Sequence, residues 1–275
     1  MANNQEISNV LSKIWLMDEN RCVNGVDYEI DMQGYLRSTR VKQDRANYNF
    51  FEWMSDEVFQ RPTYKSFLAL LDNYEMKTGI PETVTKEEEN ENRRFIDAIM
   101  ETKVMRLAHD FLVQQQKAPN DEMQFKKFVY DIWFKTYRRT HGNRSRDSSG
   151  FEHVFVGEMK GDEDILGLHN WIQVYLQERK GLINYRGYYK WGTEDSDDPR
   201  LVAVNFSLGD AEKPIGSSFM GTSPELEMAF YTICYLVSPS AVVTANLEDG
   251  LVVDINVHKI GPNLGSAYPS KHRDR

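Results

Sequence analysis

A chain of 275 residues, 40% of them hydrophobic and 12% aromatic, can bury a large core and has the composition of an ordinary water-soluble protein. No apolar run reaches the roughly 18 residues that span a bilayer. The opening Met1-Ala2-Asn3-Asn4-Gln5-Glu6 lacks the basic and apolar segments of an export leader, and Cys22 and Cys234 are too few for a disulfide framework, so an intracellular protein, cytoplasmic or nuclear and away from membranes, is expected. A net charge of −9 argues against a broad basic face for nucleic acid. It leaves local phosphate contacts, or divalent cations bridging to an anion.

In chain order, Ile7, Val10, Leu11, Ile14 and Trp15 recur at helical spacing, and a less regular stretch with Gly25 and Gly34 follows. Thr63 is expected to cap a helix carrying Phe67, Leu70, Leu71 and Tyr74, which Gly79-Ile80-Pro81 ends. Thr85-Lys86-Glu87-Glu88 has the form of a capping box. It opens one long helix expected to bury Phe95, Ile96, Ile99, Leu107 and Phe111, with His109 as a structural residue on it. Asn120-Asp121-Glu122 begins another, with Phe125, Phe128, Ile132 and Trp133 inside. Residues 141–150 have no apolar period and read as a surface loop between a helical region, 1–140, and a second region, 141–275. Lys126, Lys127, Lys135, Arg138, Arg139, Arg144 and Arg146 crowd the approach to that boundary. Such a run suits phosphate contact or, equally, a solvated face.

Beyond the boundary the period shifts towards two. From Phe151 to Glu158 the alternation predicts a strand with Phe151, His153 and Phe155 on one face and Glu152, Val154, Val156 and Glu158 on the other. After a turn at Met159-Lys160-Gly161-Asp162, the residues Leu168, Trp171, Ile172, Tyr175 and Leu176 mark a helix with His169 near its first turn. Unpaired amides there disfavour an imidazolium and favour an anion. Two imidazoles, one on a strand and one at a helix start, can then converge on one phosphate. Taken singly, either histidine also fits a satisfied core or surface position.

Leu182 to Trp191 and Leu201 to Leu208 read as strands around an acidic loop, Thr193 to Arg200. Asp195, Asp197 and Asp198 could suit a hard cation, but they lack EF-hand spacing and fit a solvated turn better. Ser223 caps a helix with Pro224 at its first position and Leu226, Phe230, Ile233, Cys234 and Val237 along its buried stripe. Ala241 to Leu247 and Leu251 to Val257, joined by Glu248-Asp249-Gly250, read as a hairpin. Twice in this half a strand, a helix and two strand-like stretches follow one another, the pattern of a diverged duplication. The class is α+β, with a helical first half and antiparallel sheets with packed helices in the second.

Three blocks carry a resemblance. Gly150-Phe151-Glu152-His153-Val154-Phe155-Val156-Gly157-Glu158, then Gly167-Leu168-His169-Asn170-Trp171, then Lys213-Pro214-Ile215-Gly216-Ser217-Ser218-Phe219-Met220-Gly221-Thr222-Ser223-Pro224-Glu225, resemble the EndoU family of XendoU-like poly(U)-specific endoribonucleases over nearly the whole chain. The resemblance implies one EndoU-type domain with a cleft near the chain's end. It implies a catalytic trio of His153, His169 and Lys213, supported by Glu152 and Glu158. The implied reaction is attack of a ribose 2′-hydroxyl on the 3′ side of uridines, leaving a 2′,3′-cyclic phosphate. That chemistry needs a base, an acid and a cation, which imidazole and ammonium can supply near neutral pH; His169 is favoured as base and His153 as acid. Ser217, and Ser266 and Tyr268 within Gly265-Ser266-Ala267-Tyr268-Pro269, match the family's base-reading elements, although many relatives carry threonine where Ser266 stands. The partner implied is single-stranded RNA with uridines, the protein acting as a monomer. Mn²⁺ or Ca²⁺ is implied without a located site, its role expected in RNA binding or loop order. The rival readings are an RNA-binding or calcium-regulated module of the same fold that does not cut, and a metallohydrolase with His153, His169 and Glu158 on a metal.

Overall fold

The computed structural model describes residues 2–39, 43–140, 145–190, 199–247 and 250–272. The predicted acidic loop with Asp195, Asp197 and Asp198, residues 141–144 of the boundary loop, and Glu248 and Asp249 of the hairpin turn lie outside them.

The first half is helical where the caps predicted it. Helix α1 (Asn4–Leu16) starts at a capping box of Asn3 and Glu6 and buries Ile7, Val10, Leu11, Ile14 and Trp15. A two-stranded ribbon, β1 (Tyr28–Ile30) with β2 (Phe51–Met54), follows. Helix α2 (Pro62–Leu68) begins one residue before the expected cap: Pro62 takes the first helical position, Arg61 is the N-cap, and Thr63 lies inside. The long helix predicted from Thr85 is two. Helix α3 (Lys86–Met100) opens on the Thr85/Glu88 box, and α4 (Lys103–Gln114) restarts where Thr102 caps the Met105 amide. That second cap rotates the buried stripe to Val104, Met105, Ala108, His109 and Leu112, leaving Leu107 and Phe111 only partly covered. Helix α5 (Glu122–Trp133) is capped by Asp121 and buries Phe125, Val129 and Trp133, with Phe128 and Ile132 at its margin.

The second half holds two larger sheets. Strands β3 (Glu158–Lys160), β4 (Asp164–Leu166), β5 (Ile183–Tyr188), β6 (Leu201–Leu208) and β7 (Ala211–Phe219) form one, in the order β3-β4-β7-β6-β5. Strands β8 (Val242–Asn246), β9 (Val252–Ile260) and β10 (Asn263–Lys271) form the other, in the order β10-β9-β8. Helix α6 (Trp171–Arg179) precedes the antiparallel run β5-β6-β7, and α7 (Pro224–Val237) precedes β8-β9-β10. The repeat is therefore a helix followed by three strands. Helix α7 starts on Ser223 with Pro224 at its first turn, as expected.

One hydrophobic cluster joins residues of both halves, from Ile7 and Phe67 to Phe230 and Ala267. Trp15 of α1 packs on Phe219 at 5.6 Å and Phe230 at 6.4 Å. Among the described residues no helix is long and apolar enough to cross a membrane.

The predicted strand from Phe151 to Glu158 does not form. Glu152–Val156 is a π-helical turn, in which the Gly157 amide reaches the Glu152 carbonyl at 2.8 Å, and only Glu158 onward is extended. Alternation misleads here because both faces are buried. Phe151 and Phe155, four apart, both enter the core, 5.0 Å from each other and among Phe67, Trp133 and Tyr231. Val154 and Val156 are buried as well.

Candidate active site

The π-turn is locked to the segment that carries the second histidine. The Leu168 amide donates to the His153 carbonyl at 3.0 Å, and the His169 amide to the Val154 carbonyl at 2.8 Å. Gly167 makes this approach possible: its φ is +62°, and a Cβ there would lie 1.7 Å from the His153 carbonyl oxygen. Leu168, fully buried, itself holds φ +56°, an uncommon conformation for a residue with a side chain and one that clusters at functional sites. His169 sits one residue before the N-cap of α6, which is Asn170. The Asn170 side chain accepts from the Gln173 amide and donates to Glu227 on α7 at 3.2 Å. Glu227 also receives bonds from Thr222 and Tyr231, so α7 fixes the start of α6 and with it His169.

The two imidazoles are held differently. His153 Nδ1 bonds Glu158 Oε2 at 2.5 Å. His169 Nδ1 bonds the Ser217 carbonyl at 3.1 Å; a carbonyl only accepts, so Nδ1 carries the hydrogen and Nε2 keeps a free lone pair. Burial lowers the pKa of both. For His169 the Lys213 ammonium and His153 add to it and push the value well below the ordinary one. For His153 the Glu158 carboxylate opposes the burial, with Arg139 and Lys213 adding to it. Lys213, on β7, reaches towards the Ile165 carbonyl of β4 at 3.5 Å, and burial brings it down to about 8. The structure thus brings His153, His169 and Lys213 together.

Glu158 lies against His153, contrary to the expected opposite face, because the π-turn replaces the strand. Its Oε2 also takes the Arg139 Nε at 3.1 Å. Glu152 is buried beside it, accepting from the Ser149 amide at 3.2 Å, with its other oxygen unpaired. Burial, then the carboxylates of Glu158 and Glu82, push its pKa up to about 10, so it is a neutral acid at pH 7. A carboxyl held protonated in the fold contributes stability at low pH and loses it as pH rises from the free carboxyl range to about 10. Glu152→Gln keeps an acceptor for Ser149 without the charge. It is expected to raise Tm at pH 8 and leave it unchanged at pH 4, as thermal unfolding at the two pH values reads.

Strand β10 supplies the opposite wall. Tyr268 stacks on His169 with centroids 4.6 Å apart, and Ser266, two residues earlier, shares its half-exposed face. Ser217 Oγ donates to the Pro269 carbonyl at 2.5 Å, tying β7 to β10. Arg139 is a site residue that the sequence did not single out from its basic run: it holds Glu158, Ser148 and, at 2.5 Å, the Gly265 carbonyl. Its neighbours in that run gave no signal separating it from them. Asn170 and Glu227 were missed for the same reason, that polar residues in the core carry no period.

Among the described residues, no three His, Cys, Asp or Glu side chains come together as a metal site. The described residues therefore locate no site for the Mn²⁺ or Ca²⁺ that the resemblance implies, and no step below passes through a metal.

An α+β fold whose cleft sets two desolvated imidazoles and an ammonium against an aromatic wall defines a protein equipped for acid–base work on an anionic substrate. The sequence model described as Endoribonuclease XendoU matches residues 6–269. Poly(U)-specific endoribonuclease-B of Xenopus laevis is 43% identical over 277 residues, covering 97% of this chain and 94% of its own. Uridylate-specific endoribonuclease B of Danio rerio is 42% identical over 96% of this chain and 95% of its own. The solved structure described as "The structure of XendoU: a splicing independent snoRNA processing endoribonuclease" superposes with a TM-score of 0.86 at 40% identity, covering 99% of both chains. The chain belongs to the XendoU endoribonuclease family.

Proposed function

We propose that this protein is an endoribonuclease that cuts single-stranded RNA on the 3′ side of uridines by 2′-hydroxyl transesterification, leaving a 2′,3′-cyclic phosphate. The observation that carries the reading is the convergence of His153, His169 and Lys213 with different hydrogen-bond partners on the two rings. The relatives named for poly(U) and uridylate specificity support the substrate class.

His169 Nε2, neutral and desolvated, takes the proton of the 2′-hydroxyl. That oxygen then attacks phosphorus, and the bond from phosphorus to the 5′-oxygen breaks. His153, whose Nδ1 is held by Glu158, favours the imidazolium more than His169 does and delivers a proton from Nε2 to the departing 5′-oxygen. Lys213 stabilises the charge that builds on the non-bridging oxygens. Arg139 holds Glu158 in place against His153. Tyr268 would offer a flat partner for a base, and the Ser266 and Ser217 hydroxyls would contact its edge.

Three titrations shape the pH dependence. The base works above its own depressed pKa, so activity persists below the ordinary histidine range. His153 must carry the proton it delivers, and its pKa also lies below the ordinary value, so kcat falls first as pH rises past that group and falls again as Lys213 loses its charge through about 8. Lys213→Arg, which keeps its charge, removes the second fall and leaves the first, as a pH profile of kcat reads.

The test is an incubation of purified protein with RNAs that differ at one central position, U, C, A or G, in EDTA, Mn²⁺ or Ca²⁺. Cleavage after the U alone supports the reading, and the metal arms show which condition it needs. Equal cleavage at all four bases removes the uridine preference. Binding without cleavage under every condition leaves a non-cutting RNA-binding module.

A further inference from the structure

The basic run before the boundary is only partly used by the site. Lys126 is neutralised by Asp97 at 2.9 Å and Glu122 at 3.1 Å, and Arg139 by Glu158. Lys135, Arg138 and Arg146 are different. All three are exposed, and among the described residues none has a carboxylate within ion-pairing distance or a side-chain hydrogen bond. They line one surface depression of 350 Å³ together with Thr136, Tyr137 and Asn263. On a chain of net charge −9, three unneutralised cations around one concavity form a local well for anions.

Its position ties it to the cleft. Asn263 is the first residue of β10, the strand that carries Ser266 and Tyr268. The wall between depression and cleft is made by Tyr137, whose hydroxyl donates to the Leu264 carbonyl at 3.1 Å, and Arg139, which donates to the Gly265 carbonyl. Along a strand rising about 3.3 Å per residue, Asn263 and Tyr268 are ~17 Å apart. A phosphate in the depression is therefore several nucleotides from one beside His169.

Resting on the nuclease reading above, we infer that Lys135, Arg138 and Arg146 form a phosphate-binding subsite for the RNA strand flanking the cleavage point, reached along the start of β10. It holds backbone and reads no base, so it favours long strands over short ones whatever their flanking sequence.

The test compares the triple variant Lys135→Ala, Arg138→Ala, Arg146→Ala with the parent protein on a uridine-centred trinucleotide and on an RNA of about twenty nucleotides with one central uridine. A second variant, Lys65→Ala, Lys103→Ala, Arg106→Ala, removes equal charge elsewhere. The expected result is a KM on the long RNA raised at least about tenfold in the first variant alone, with kcat and the trinucleotide reaction as in the parent. The dependence of log Kd on log salt for the long RNA should also flatten by about 2, the share of three phosphate contacts on a single strand. An unchanged long-to-short preference and salt slope, or an equal loss in both variants, overturns the subsite. Parent protein that binds the long RNA without cutting overturns the nuclease reading, and the salt slope then still decides the subsite. Melting temperatures equal to the parent's show that the exposed substitutions leave the fold intact.

Discussion

His169→Ala is expected to lower kcat on a uridine-containing RNA by about 10²–10⁴-fold, the range for losing a placed acid or base. The ring's free Nε2 is the proposed proton acceptor; the Nε2 of His153 is also unbonded, but the Glu158 carboxylate at its Nδ1 favours the imidazolium there, the form that donates. His153 is held by Glu158, and Lys213 is a cation below about 8. Tyr268 loses its stacking partner in the variant, so KM is expected to change too. The decisive reading is kcat under saturating RNA, with Tm showing that the fold survives. A loss below tenfold would remove His169 from the reaction.

Gly167→Ala is expected to be the most damaging single-methyl change near the site. The residue holds φ +62°, which costs a non-glycine about 1–2 kcal/mol, and the new Cβ would overlap the His153 carbonyl oxygen. Relief requires moving the π-turn away from Leu168 and breaking the bond that joins the two histidine segments. The total should reach ~3 kcal/mol or more, about 6–12 °C in Tm for a chain of this size, with a fall in kcat beyond what unfolding explains. Gly161→Ala is the control: φ is +64° there, but nothing lies within 4 Å of the added carbon, so only the backbone strain applies and activity is unchanged. Equal effects at the two positions would show that the contact at Gly167 does not matter.

Local signals carried much of the fold. Asn3, Thr85, Asp121 and Ser223 have side chains that can accept from the first-turn amides, and each starts a helix where the apolar spacing put one. At Thr102 the same chemistry splits a helix that the apolar period ran through, because a cap can end one stripe and start another without a proline or glycine. The π-turn was illegible for a different reason. Its residues are buried on every side, and what bends them is the distant Gly167-Leu168-His169 segment. Strand β10 was hidden because Gly265 and Pro269 are poor strand formers and only pairing with β9 recruits them. As for the site, spacing raised two histidines as candidates, and the family's motif joined Lys213 to them. Of the partners that hold them, Asn170 adjoins His169, but Arg139 comes from the segment after α5 and Glu227 from α7, and no local pattern could gather those two.

The most direct test of the account removes one oxygen from the substrate. The protein is incubated with an RNA containing a single uridine and with the same RNA in which that uridine carries hydrogen in place of its 2′-hydroxyl. The account predicts cleavage of the first only, with a 2′,3′-cyclic phosphate on the new end, because the nucleophile belongs to the substrate. Cleavage of both, leaving linear phosphates, would mean that water attacks phosphorus and would contradict the assignment of His169 as the base acting on the ribose.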